Sequence, residues 1–233
     1  MSDVADIKTE NLTSSKKMLF AMVGIGIISA LLIVTTYELT LPRVQRLKAE
    51  ALEKAIFKVL PGTVNTQAFG VNKQGELFEM QENDKPETTI YAGYDKNDRI
   101  TGYAIEASGQ GYADIIRILY GYSPDKELLI GFQVLESKET PGLGDKIEKE
   151  PHFVNNFKAL DVSLSNKGEI KNKVITVKQG DKKNPWEIDG ITGATISSRA
   201  IGNIIGTSTT ELVPMLYDHF KKNYQKSKES NEE

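Results

Sequence analysis

Residues 18–37 contain no charged side chain, and nearly every position is apolar. A bilayer core takes about 20 such residues in a helix, so the run predicts one transmembrane span. A cleaved export signal would carry a shorter apolar core, about 7–15 residues, and a small-residue cleavage site. Thr35-Thr36-Tyr37-Glu38 makes a poor one. Residues 1–17 are polar and mixed in charge and predict a short disordered tail. After the span the rhythm turns amphipathic. Val44, Leu47, Ala51, Ala55, Ile56, Val59 and Leu60 recur at helical spacing. Pro42 suits a first helical position and Pro61-Gly62 a stop, so residues 38–62 are expected to form a juxtamembrane helix.

From Gly70 the texture becomes β-like. Runs rich in Ile, Val, Tyr and Phe cover 90–94, 100–107, 115–122 and 128–135, with weaker candidates at 73–78 and 174–177. Gln74-Gly75, Asp95-Lys96-Asn97-Asp98 and Pro124-Asp125-Lys126 are turn signals between them. Tight turns between consecutive strands imply antiparallel pairing. Helical spacing covers 145–158, 192–205 and 210–224. Strands grouped in the middle with helices mostly after them predict an α+β domain over 63–224, an antiparallel sheet with packed helices. A disordered polar tail is expected at 225–233.

Composition narrows the chemistry. At 233 residues and 39% hydrophobic content, the chain can hold one membrane element and one globular core. A net charge of -3 lacks the basic excess of a nucleic-acid binder, so no such partner is expected. There is no cysteine, which excludes thiolate-held iron–sulfur clusters, c-type haem attachment and disulfides. His152 and His219 stand far apart, and no metal site is expected. A chain of this composition that moves electrons must do so on an organic cofactor. Lys16 and Lys17 before the span, against Arg43, Arg46 and Lys48 after it, leave the orientation open.

Two stretches carry candidate chemistry. Asp189-Gly190-Ile191-Thr192-Gly193-Ala194-Thr195 precedes Ile196-Ser197-Ser198 and a helical apolar face of Ala200, Ile201, Ile204 and Ile205. Thr192 reads as the N-cap, with Gly193 and Ala194 opening the first turn. Thr195 then lies near a helix start, where unpaired N–H groups and the dipole favour an anion. Ordinary capping accounts for the same residues, so the pattern alone leaves anion binding open. The second stretch is Glu139-Thr140-Pro141-Gly142-Leu143-Gly144-Asp145-Lys146. One proline and two glycines make a sharp connection, and Asp145 suits the cap of the next helix. Such a loop can bring bare backbone against a ring system, and a plain strand-to-helix turn explains it equally well.

The first stretch resembles the flavinylation motif Asp-x-x-(Ser/Thr)-Gly-Ala-Thr of FMN-binding domains in bacterial redox-driven ion pumps. The second is similar to the Glu-Thr-Pro-Gly-Leu-Gly segment of the same family. Both motifs in this order, after one N-terminal span, resemble the G subunit of the Rnf-type electron transport complex. A related match is the C subunit of the sodium-translocating NADH:quinone reductase. The likeness covers roughly 18–220 and is weakest over 62–87.

This resemblance implies FMN joined through its phosphate to the Thr195 hydroxyl by a separate flavin transferase. It implies cofactor-binding positions at Asp189, Thr192, Gly193, Ala194, Glu139, Thr140, Gly142, Leu143 and Gly144. It further implies membrane partner subunits and a domain on the extracytoplasmic, periplasmic side of the inner (cytoplasmic) membrane. The process served would couple ferredoxin/NAD redox chemistry to ion transport. No catalytic residue is expected, because nothing in the local sequence activates Thr195 as a nucleophile. Ser197 and Ser198 are neighbouring hydroxyls. Tyr103, Tyr112, Tyr120, Tyr122 and Trp186 are candidates to stack on the ring, though core packing explains each. The alternatives are the quinone-reductase subunit, a free-standing flavin shuttle, and a membrane-tethered sensor or ligand-binding module.

Overall fold

The computed structural model describes the backbone of residues 3–72, 75–81, 84, 86 and 88–229, and side chains within 15–224 of these. The chain divides into two compact units, 1–50 and 51–233. The first is helical throughout its described length, as part of α1 (Asp3–Val59). This helix is long and apolar enough to cross a membrane, and its most apolar window buries nothing against protein.

One helix thus takes in three expected segments. Residues 3–17 contain no glycine or proline, and nothing in them breaks the helix that the apolar run propagates. Pro42 lies inside α1 and does not open a second helix. The expected stop does hold: α1 ends at Val59, and Gly62 follows with φ +91°.

In the second unit, β1 (Asn65–Val71), β2 (Leu77–Glu79), β3 (Thr88–Tyr94), β4 (Ile100–Gln110), β5 (Ile115–Ser123) and β6 (Leu128–Glu136) come first. The helices α2 (Lys146–Lys149) and α3 (Pro151–Asn155) follow, with a 3₁₀ turn at Asn156–Lys158. Then come β7 (Leu160–Asp161), β8 (Ile175–Val177), β9 (Glu187–Asp189) and α4 (Thr195–Glu229). Strands β1–β7 form one sheet in the order β2-β1-β3-β4-β5-β6-β7, antiparallel at every pairing. The α+β expectation holds, with one addition: β8 and β9 pair in parallel as a separate ribbon.

Three helix expectations are revised. The segment 145–158 breaks in two because Pro151 has no N–H to continue the first helix and begins the second instead. The segments 192–205 and 210–224 are one helix, α4, which tolerates Pro214 and runs on to Glu229 through a polar stretch expected as tail. Residues 230–233 of that tail, and Lys73 and Gln74 of the weak strand candidate, lie outside the described residues.

The sheet is covered on both faces, so its central strands bury consecutive residues. On one face Tyr103, Ile105, Ile118 and Tyr120 meet Ile201, Ile205, Val213 and Leu216 of α4, all fully buried. Each such aliphatic side chain contributes about 1.5–3 kcal/mol as an upper estimate. The other face, through Ala104 and Leu119, receives Ala55, Ile56, Val59 and Leu60 at the end of α1. Glycines make that approach possible. A side chain on Gly121 would run into the Val59 carbonyl, and one on Gly131 would stand 2.5 Å from the Val59 Cα.

Candidate functional site

The start of α4 is set by a tight turn over Ile191–Ala194, closed by the Ala194 N–H on the Ile191 carbonyl at 3.1 Å. Gly193 supplies the positive φ, +85°, that the third turn position requires. The first helical hydrogen bond runs from the Ser198 N–H to the Ala194 carbonyl at 2.9 Å, which makes Ala194 the cap. The expectation that Thr192 caps the helix is therefore corrected. The left-handed step at Gly193 keeps helical geometry from beginning before Ala194, and Thr192 belongs to the turn. Its N–H donates to Gln179 Oε1 at 2.9 Å. Among the described residues no acceptor meets the N–H groups of Thr195, Ile196 or Ser197.

The approach to that turn is pinned by side chains that local pattern does not reveal. Asp189 Oδ1 accepts the Gly180 N–H at 2.6 Å, fastening the β8–β9 connection. Buried Asn156 accepts the Asp189 N–H at 3.0 Å and donates to the Asp189 carbonyl at 3.2 Å. His152 Nε2 lies 3.3 Å from the Gly190 carbonyl. Ser198 Oγ lies 3.4 Å from the Ile191 N, as acceptor, and 3.2 Å from the Thr195 carbonyl, as donor. Asn156 and His152 sit in a stretch read only as helix, and nothing in its spacing marked them.

The second motif meets the first directly. Glu139 is 6% exposed and has both carboxylate oxygens engaged. Oε1 accepts the N–H groups of Tyr112 and Ala113 at 2.8 and 3.0 Å. Oε2 accepts the Ser197 hydroxyl at 2.5 Å, across 58 residues of sequence. Gly144 is buried against the same carboxylate. Asp145 does occupy the cap position of α2, but its side chain turns back. Oδ1 accepts the Gly142 N–H at 2.7 Å and Oδ2 pairs with Lys149 at 2.5 Å. The Lys149 hydrogen bond, foremost, holds the Asp145 carboxyl below the usual aspartate range. Thr140, Pro141 and Gly142 are exposed, and Leu143 is 54% exposed.

The aromatic candidates separate clearly. Tyr103, Tyr120 and Tyr122 are fully buried core residues, whose phenols burial pushes above the usual tyrosine range. Trp186 is half-buried, and Tyr112 is 66% exposed.

What remains open to a ligand is the surface around Thr195. Thr195 is exposed, and its hydroxyl makes no hydrogen bond among the described residues. Ser197 and Ser198 are buried at 3% and 1% exposure. A cavity of about 270 Å³ is lined by Thr176, Gln179, Thr192, Thr195, Lys178 and Arg199, among others. Lys178 and Arg199 are exposed and carry no side-chain partner among the described residues. Free N–H groups at a helix start and two cations without a side-chain partner among the described residues suit a phosphate group, beside one accessible hydroxyl. A larger groove, about 620 Å³ between β4 and α4, includes no residue of either motif.

A model of the FMN-binding domain family matches residues 111–208, which hold both motifs. The G subunit of the ion-translocating oxidoreductase complex of Methanosarcina acetivorans is 31% identical over 188 residues, 79% of this chain and 87% of that one. The corresponding protein of Pasteurella multocida is 36% identical over 123 residues, 52% of this chain and 56% of that one. The crystal structure of Shewanella oneidensis NqrC shares the fold at a TM-score of 0.59 and 18% identity, covering 76% of this chain and 99% of NqrC.

Proposed function

This chain belongs to the family of ion-translocating oxidoreductase complex G subunits, and on that footing we propose that it is a membrane-anchored electron carrier whose FMN is esterified to Thr195. When bound, FMN supplies the electron-carrying chemistry in its isoalloxazine ring, and the protein sets its place and surroundings. The observation that carries the attachment is the contrast in access among three adjacent hydroxyls. Thr195 is exposed and unbonded, whereas Ser197 and Ser198 are buried and hydrogen-bonded.

Each nearby group then has a task. The N–H groups of Thr195, Ile196 and Ser197 and the dipole of α4 stabilise the phosphodiester's negative charge. Lys178 and Arg199 line the same cavity and add cationic partners. The turn at Gly193 fixes where the Thr195 hydroxyl emerges. Among the described residues no base is hydrogen-bonded to that hydroxyl: His152, the histidine brought to this region, lies against the Gly190 carbonyl. That arrangement suits esterification by an external flavin transferase. A covalent tether keeps the cofactor at high effective concentration outside the cytoplasm, where a released flavin would dilute away. The apolar part of α1 anchors the chain beside the other membrane subunits, with the flavin domain on the extracytoplasmic face of the inner membrane. A single span leaves ion conduction to those partners.

The test is Thr195→Val in the full chain, produced with a flavin transferase. Protein-bound flavin fluorescence in a denaturing gel is expected to vanish in this variant and persist in Ser197→Ala and Ser198→Ala. A fluorescent Thr195→Val band rejects the assignment. Proteolysis of sealed vesicles checks the side of the membrane: the domain should be cut only from the extracytoplasmic face.

A further inference from the structure

We propose that the groove between β4 and α4 receives an extended segment of a partner protein, which adds a strand to the open side of β4 and carries a basic residue to Glu211. The inference goes beyond flavin attachment and stands without it. β4 outruns its neighbour on that side. Its pairing with β3 ends at Ile105, opposite Ile90, while its pairing with β5 continues to Gln110. Thr88 and Thr89 stay paired with β1. In the loop before them, Pro86 packs against Gly70 and the Met80 N–H donates to the Ala68 carbonyl, both on β1, which β3 separates from β4. Among the described residues, 106–110 therefore pair on one side only. Backbone groups along a strand point alternately to its two sides, so every second residue here directs its N–H and C=O into the groove.

The groove measures about 620 Å³, and its opposite wall is α4 from Ala200 to Leu212, with Asn203, Thr207 and Glu211 exposed along it. Five extended residues reach about 17 Å, and that length of α4 rises about 18 Å, so both walls accommodate a strand of about five residues. Sheet edges left to solvent are ordinarily short, or carry lysine, proline or a bulge that deters pairing. The outermost strands obey that rule, since β2 has three residues and β7 two. Ala107-Ser108-Gly109-Gln110 has none of these devices and keeps an unbroken register with β5. An edge so little protected suits strand addition, in which backbone hydrogen bonds hold the incoming segment.

Charge decides between occupants. The lining holds two carboxylates, Glu106 and Glu211, and one guanidinium, Arg117. Arg117 is shared between Glu106 at 3.0 Å and Glu136 at 3.2 Å, whereas Glu211 has no ion pair among the described residues. A lysine or arginine on the incoming strand answers that excess. A second copy of this chain would instead bring the same acidic lining against itself. Ala200 stands five residues past Thr195, about 8 Å along α4, so a partner seated here lies close to the proposed attachment point.

Residue-resolved hydrogen exchange tests this on the full chain, alone in detergent and within the membrane complex purified through it. Alone, every second amide from Glu106 to Gln110 should exchange fast, those between being held by β5. In the complex the fast set should slow by at least about tenfold, and this alternation separates strand pairing from simple covering. The chain has no cysteine, so Ser108→Cys and Thr207→Cys each create a single labelling site on an exposed residue. A photo-cross-linker at either is expected to join one contiguous segment of another protein in the complex. Glu211→Lys should lower recovery of that protein by at least about threefold at low salt, with covalent flavin on a gel unchanged. Exchange over 106–110 that is the same in both states overturns the proposal. So do cross-links that join two copies of this chain. Undiminished recovery with Glu211→Lys overturns the basic residue on the incoming strand.

Discussion

Two adjacent serines should respond very differently to the same substitution. Ser197 Oγ donates to a buried carboxylate at 2.5 Å, and a hydrogen bond to a charged group contributes about 1.5–3 kcal/mol. Ser198 Oγ makes only long contacts, 3.4 Å from the Ile191 N and 3.2 Å from the Thr195 carbonyl, both neutral. These contribute about 0.5–1 kcal/mol together. Alanine is the better helix former and returns about 0.5 kcal/mol at either position. Ser197→Ala is thus expected to cost about 1–2.5 kcal/mol and Ser198→Ala about 0–0.5 kcal/mol. A domain of this size loses about 2–4 °C per kcal/mol, so the midpoints should fall by about 2–10 °C and at most about 2 °C respectively. Trp186, the single tryptophan, reports unfolding of the detergent-solubilised chain by its fluorescence. A Ser198→Ala loss equal to or larger than that of Ser197→Ala would refute the reasoning. So would a neutral Ser197→Ala.

Other perturbations follow from the same geometry. Gly193→Ala places a Cβ at φ +85°, which costs about 1–2 kcal/mol. Because the turn also aims Thr195, flavin incorporation on a gel should drop with stability. Gly121→Val drives a side chain into the Val59 carbonyl. It is expected to lift the end of α1, at about 1–3 kcal/mol, and to expose a protease-sensitive site near Leu60. Acid should loosen the turn before β9. The Lys183 N–H at 2.7 Å, foremost, with the Asn184 side chain and N–H, holds the Glu187 carboxyl below the usual glutamate range. Its stabilisation is complete above the unfolded glutamate value and is lost as pH falls through the lower folded value. Glu187→Gln should therefore flatten the acid limb of a stability-versus-pH curve, and an unchanged limb would count against this role.

The sequence was legible where periodicity is long and strong. The apolar run of α1, the four central strands and the α4 face from Ala200 to Ile205 all stand where their spacing puts them. It was less legible where a few residues decide an element. β7 and β9 have two and three residues, too short for any alternation to register, and Asn65–Val71 carries mostly small and polar residues. Two prolines misled, one in each direction. Pro42 looked like a helix start yet lies inside α1, whereas Pro151 split a segment that its spacing made continuous. A proline's local cost is fixed, and whether the helix survives depends on flanking turns and packing that a local window does not contain.

At the site, the two motifs named segments that the structure brings into contact, while the partners of their acidic side chains were not legible in the sequence. Carboxylates beside a presumed anion site read naturally as ligand contacts. Asp189 and Glu139 direct oxygens at backbone N–H groups and a serine of the protein itself. That division is what electrostatics requires, since a phosphate at a helix start gains nothing from carboxylates turned toward it. Hydrogen-bonded within the protein, the same acids fasten the loops, while Thr195, Arg199 and Lys178 line the neighbouring cavity. A motif of this kind combines two physically opposite requirements, negative charge to hold the scaffold and positive potential to hold the ligand. The contact between Glu139 and Ser197 is where the two meet.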